Sequence, residues 1–161
     1  MSRHGEVTLF QLLTEDDSIE ILVQKKFSSE LIPTPELRPI YEWAVRQYEQ
    51  HPHGLAPTFA MFMETELPGH GGKPMGAVLH EYHIPLDYVP DESVEWVIED
   101  LRSQHLRSNI GDILKACVFG VTEVPADEIL EPIDALIAGT TKLRENYTSG
   151  PEAESMRSYE K

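Results

Sequence analysis

The chain is short of basic residues. Its 161 residues hold 13 lysines and arginines against 28 aspartates and glutamates, a formal net charge of -15. A surface this acidic repels phosphate backbones, which argues against tight binding of DNA or RNA by these residues alone. It suits a protein partner with a basic patch, and it also secures solubility. Cysteine is nearly absent. Cys117 stands alone, so no internal disulfide forms, as fits a reducing cytosol. No apolar run approaches the ~18 residues of a membrane span, so no membrane association is expected and the location read from the sequence is cytoplasmic. The opening residues MSRHGEVTLFQLL offer too short an apolar stretch, and no small-residue cleavage site, for a signal peptide.

The motifs of chemistry are missing too. Gly69 to Pro74 is glycine-rich, but a phosphate loop needs a glycine five positions before Gly72 and a Ser or Thr after Lys73. Those positions hold Leu67 and Pro74. His51, His53, His70, His80 and His83 lie in polar segments without Cys-x-x-Cys or His-Glu-x-x-His spacing, so no metal site and no cofactor is expected. Cys117 falls among apolar seam positions, where cysteine acts as a small buried hydrophobe. No catalytic residue can be argued for.

What is present is helical periodicity. Hydrophobic residues make up 40% and charged residues 25%, as in a folded globular domain. Val7, Phe10, Leu12 and Leu13 predict a first short helix, and Ile19 to Lys25 a second. Thr34 and Pro35 open a third, carried by Leu37, Ile40, Tyr41, Ala44, Val45 and Tyr48. Pro57-Thr58 starts a short helix with Phe59, Phe62 and Met63 as its apolar face. The stretch 67–90, with four glycines and four prolines, reads as irregular. Asp91 or Ser93 caps a long helix running to about Phe119.

That long helix and the one after it carry the strongest signal. Ile110, Leu114, Cys117 and Val121 alternate by four, three and four residues. After a short link at Thr122 to Pro125, Ile129, Ile133, Leu136, Thr140, Leu143 and Tyr147 do the same. Such spacing keeps side chains on one stripe, and two stripes so closely linked meet as an antiparallel hairpin. Earlier in the long helix, Val94, Val97, Ile98, Leu101 and His105 cluster on nearly the opposite side, so this part is expected to pack on the N-terminal helices. Ile113, Leu130 and Ile137 flank the seam and are candidates for an interface between subunits. Trp96 falls off the apolar face of its half-helix. Contact with a partner and burial under the long loop are both open readings for it.

The predicted fold is all-α, a small globular helical bundle followed by a long antiparallel helical hairpin. The expected divisions are 1–90 for the bundle with its irregular loop, 91–147 for the hairpin and 148–161 for a polar linker or tail. Leu37-Arg38-Pro39-Ile40-Tyr41-Glu42-Trp43-Ala44, the helix begun by Pro57-Thr58, Val94 to Leu101, and Ala126 to Leu136 occur in an order that resembles the N-terminal domain of DnaB-type replicative helicases, above all phage forms. The resemblance spans roughly Leu9 to Tyr147. It implies an all-helical collar whose hairpins pair between subunits to build a dimer or hexameric ring, and which docks primase or a helicase loader. It implies no ATP hydrolysis in this part, the motor lying C-terminal beyond a linker. The stretch 67–90 departs from the family, which has a shorter connection there. The other reading is a self-contained helical adaptor, such as a helicase loader or an inhibitor protein.

Overall fold

The computed structural model describes residues 3–67, 69 and 71–149, without the side chains of 146–149. The described residues form seven α-helices: α1 His4–Leu12, α2 Asp16–Gln24, α3 Arg38–Gln50, α4 Phe59–Glu64, α5 Met75–Glu81, α6 Val94–Glu123 and α7 Leu130–Ser149. No strand occurs among them, only an isolated antiparallel bridge between Glu66 and Pro74. The fold is all-α, with a long helix pair towards the C-terminus. The chain divides into two compact units, one up to Ser103 and one from Gln104. The division falls inside α6 and not at 90, because Val94, Val97, Ile98 and Leu101 are all buried in the first core. The side chain of Tyr147 and the tail from Gly150 lie outside the described residues.

α1 is central to the first unit. Leu9, Phe10, Leu12 and Leu13 are buried, and so are the polar Glu6, Thr8 and Gln11. A buried polar group is costly unless it is paired, and each of these is. The Glu6 carboxylate accepts from Thr34 N at 2.9 Å and from Thr34 Oγ1 at 3.0 Å. Thr8 Oγ1 donates to the His4 carbonyl at 2.8 Å, and Gln11 Nε2 to the Pro85 carbonyl at 3.0 Å. Gly5 lies where a Cβ would run into the Asp100 carboxylate of α6, so the small residue sets how closely α1 and α6 approach.

Local chemistry sets the helix ends. Lys26 takes a left-handed φ of 53° at the end of α2, and Phe27 N donates back to the Leu22 carbonyl at 3.0 Å. The two prolines divide the start of α3. Pro35 opens a 3₁₀ turn over Pro35–Leu37, and the α-helix proper begins at Arg38 with Pro39 in its first turn. Ser93 caps α6, its Oγ accepting from Trp96 N at 3.2 Å.

Three expectations change. The stretch 67–90 is not wholly irregular, since α5 lies within it and buries Met75, Val78 and Leu79. In α4 only Phe62 of the expected face is buried, with its ring 5.1 Å from that of Trp43, while Phe59 and Met63 are exposed. The long helix continues past Phe119 to Glu123.

Tyr41 gives the first core a pH limit. Its hydroxyl donates to the Phe27 carbonyl at 2.9 Å, and burial, with a smaller effect from Glu49, pushes the phenol far above its ordinary pKa. Folded chains keep this proton where unfolded chains lose it. The associated stability is therefore whole below the unfolded pKa of about 10 and falls as pH rises beyond it. In an alkaline titration, the Tyr41 share of phenolate absorbance should appear only together with loss of helical circular dichroism. Tyr41→Phe should remove that component and cost about 1–2 kcal/mol in urea unfolding, by leaving the Phe27 carbonyl unpaired.

Candidate interaction surface

Within the second unit, α6 from Gln104 onward and α7 form the helix pair. The chain turns through Val124 N to the Gly120 carbonyl at 3.1 Å and a short 3₁₀ segment at Ala126–Glu128. Two glycines fix how the helices meet. A Cβ on Gly120 would stand 2.7 Å from both Cβ and Cγ of Pro132, and one on Gly139 would stand 3.6 Å from Ile113. These two contacts give one antiparallel register. Ile113, Cys117, Pro132, Leu136 and Gly139 line a gap of about 170 Å³ between the helices.

The contact line is rotated from the predicted seam. Cys117, Val121, Leu136 and Leu143 are half-buried, but Ile110, Leu114, Ile129 and Ile133 are exposed. Ile113, expected on the flank, lies between the helices against Gly139. Helices approach most closely where side chains are smallest, so the contact moves towards Gly120 and Gly139 and away from the isoleucines. A count of apolar spacing cannot see this, because glycine and proline do not register in it.

The exposed residues have an order of their own. On α6, Ile110, Leu114 and Val118 follow at intervals of four, as do Ile129, Ile133 and Ile137 from the start of α7. Relative to the inward residues, both trios turn by roughly 90° in the same sense at ~100° per residue. Antiparallel helices are related by an approximate two-fold axis normal to their common plane. That rotation keeps each side of the plane on its own side, so both trios lie on one face. The register sets Leu114 level with Ile137 and Val118 level with Ile133. With Leu130 at the edge, seven apolar side chains between 37% and 66% exposed form one strip.

The remaining candidates belong to the first unit. Trp96, in the first unit, is 39% exposed and meets the His4 ring edge-on at 5.5 Å. His4 in turn contacts Glu92 at 2.6 Å, and this hydrogen bond holds the Glu92 carboxyl below its ordinary range. His51 and His53 are neighbours, with rings 5.9 Å apart. Among the described residues no three His, Cys, Asp or Glu side chains are grouped as metal ligands, and no helix is long and apolar enough to cross a membrane. Comparison of the chain with family models, with curated proteins and with solved structures returns no match.

The two glycines should respond oppositely to alanine. Gly120→Ala drives a methyl into the rigid Pro132 ring, and overpacking of about 1–3 kcal/mol exceeds the gain in helix propensity. Gly139→Ala makes an ordinary contact with Ile113 and should gain about 0.5–1 kcal/mol. Thermal and urea melts of the two variants check this register. A shift of the same sign for both would refute it.

Proposed function

We propose that this chain is the N-terminal collar domain of a DnaB-type replicative helicase. In this reading it joins subunits through its hairpin, gives primase or a helicase loader a docking surface, and acts in the cytoplasm without an ATPase motor of its own. The order of elements supports the reading: a small helical unit, then a long helix returning as an antiparallel pair. The observation that carries it is the apolar strip on one face of that pair.

The strip is large enough to decide between a solvated surface and an interface. Its seven side chains leave on the order of 600 Å² in water, at the top of the range for the largest patch on a soluble monomer. A standard interface buries ~800 Å² per partner, so the strip supplies most of one side. Its near two-fold symmetry also favours a second copy as the occupant, since the same strip on both chains is covered at once. The net charge of -15 argues against a role in gripping nucleic acid.

Light scattering over a concentration series tests this. The chain should form dimers or larger rings, and Ile133→Asp or Ile137→Asp should reduce them to monomers with helical circular dichroism intact. A chain that stays monomeric at high concentration would sink the reading in favour of an adaptor that covers the strip with a different protein. Loss of all helicity in Ile137→Asp would instead make that residue part of the core.

A further inference from the structure

α4 belongs to the first unit. Its sequence is Phe59-Ala60-Met61-Phe62-Met63-Glu64, five apolar residues in six. A helix that is apolar on every side belongs under cover. Phe62 is buried, Met61 partly so, and Ala60 is exposed, with Phe59 and Met63 left 47% and 43% exposed. Phe59 and Met63 are four residues apart, so they stand together on one strip of the helix. The helix beneath them is fixed in place. Thr58 caps it through Met61 N, Met75 N donates to the Thr65 carbonyl at 2.9 Å, and the Met63 sulfur sits where a Cβ on Gly76 of α5 would be. An apolar strip held rigid costs little to cover.

The charge around the strip narrows what can cover it. Residues 46–73 contain Glu49, Glu64 and Glu66, with Arg46 and Lys73 at the two ends and the Lys73 ammonium paired with Glu81. All three glutamates are exposed. The first 103 residues hold 18 acids against 7 lysines and arginines, so a second copy of this unit approaches against strong repulsion. A cationic segment is attracted by the same field. We infer that the α4 strip docks a basic amphipathic helix of another protein, with that helix's apolar residues on Phe59 and Met63 and its lysines or arginines towards Glu64 and Glu66. An adaptable thioether beside an aromatic ring suits such an apolar helix face. This inference does not rest on the hairpin's role.

Fluorescence anisotropy on the full chain, with two labelled synthetic peptides as probes, tests it. One is an amphipathic helix of leucine and lysine, and the other has glutamate in place of lysine. The lysine peptide should bind and the glutamate peptide should not. Phe59→Ser combined with Met63→Ser should weaken the lysine peptide at least about tenfold, and so should Glu64→Lys combined with Glu66→Lys. All four residues are exposed, and unchanged circular dichroism confirms that each variant folds. Equal binding by the serine variant would show attraction by charge alone and overturn the site. Equal binding of both peptides would remove the charge selectivity. A smaller particle mass for the serine variant in light scattering would assign the strip to a second copy instead.

Discussion

Two helices can touch along only one line. Each hides a single stripe from the other, so a two-helix unit with more apolar residues than one stripe holds must leave the rest in water. In the second unit this constraint governs everything else. Gly120 against Pro132 and Gly139 against Ile113 settle which stripe is hidden. The six residues from Ile110 to Val118 and from Ile129 to Ile137 that follow at intervals of four make up most of the remainder, with Phe119 and Leu130 besides. Their exposure follows from where the backbones come closest.

The first unit escapes the constraint because its helices converge from several directions. Leu9 and Phe10 of α1 and Leu13 just after it have no measurable exposure, and the unit can bury even a carboxylate. Glu6 is tolerated there because Thr34 supplies both a backbone and a side-chain donor at the entry to α3. One charged group thus links the first helix to the start of the third. The contrast between a closed core and an open helix pair is the physical basis for separating their roles. α4 is the exception in the first unit, an apolar element with one side left uncovered.

Periodicity made α3, α6 and α7 legible in the sequence, since each is long enough for its spacing to repeat. It failed where elements were short. α5 has seven residues, Met75–Glu81, and its Met75, Val78 and Leu79 were obscured by the glycines and prolines around them. Spacing does not mark Trp43, which falls beside the Ile40, Tyr41 and Ala44 stripe, yet it is buried against Phe62 from another helix. For α4, spacing grouped Phe59, Phe62 and Met63, but with six residues it could not say which side the core would take. The hairpin itself was legible. Which of its stripes is hidden was not, because that depends on residues that contribute almost no side chain.

The distribution of charge bears on how the two surfaces differ. Residues 104–161 hold 10 acids against 6 lysines and arginines, a much milder imbalance than the 18 against 7 of the residues before them. Bringing like-charged units together costs more as their net charge grows, and screening removes little of that cost within a Debye length of about 8 Å. Self-association is therefore least opposed through the helix pair, and a cationic partner is most attracted to the first unit. Apolar surface sets where contact is favourable in each unit, and charge sets what kind of partner can make it. On this basis one short chain can carry two interfaces that differ in the kind of partner they suit.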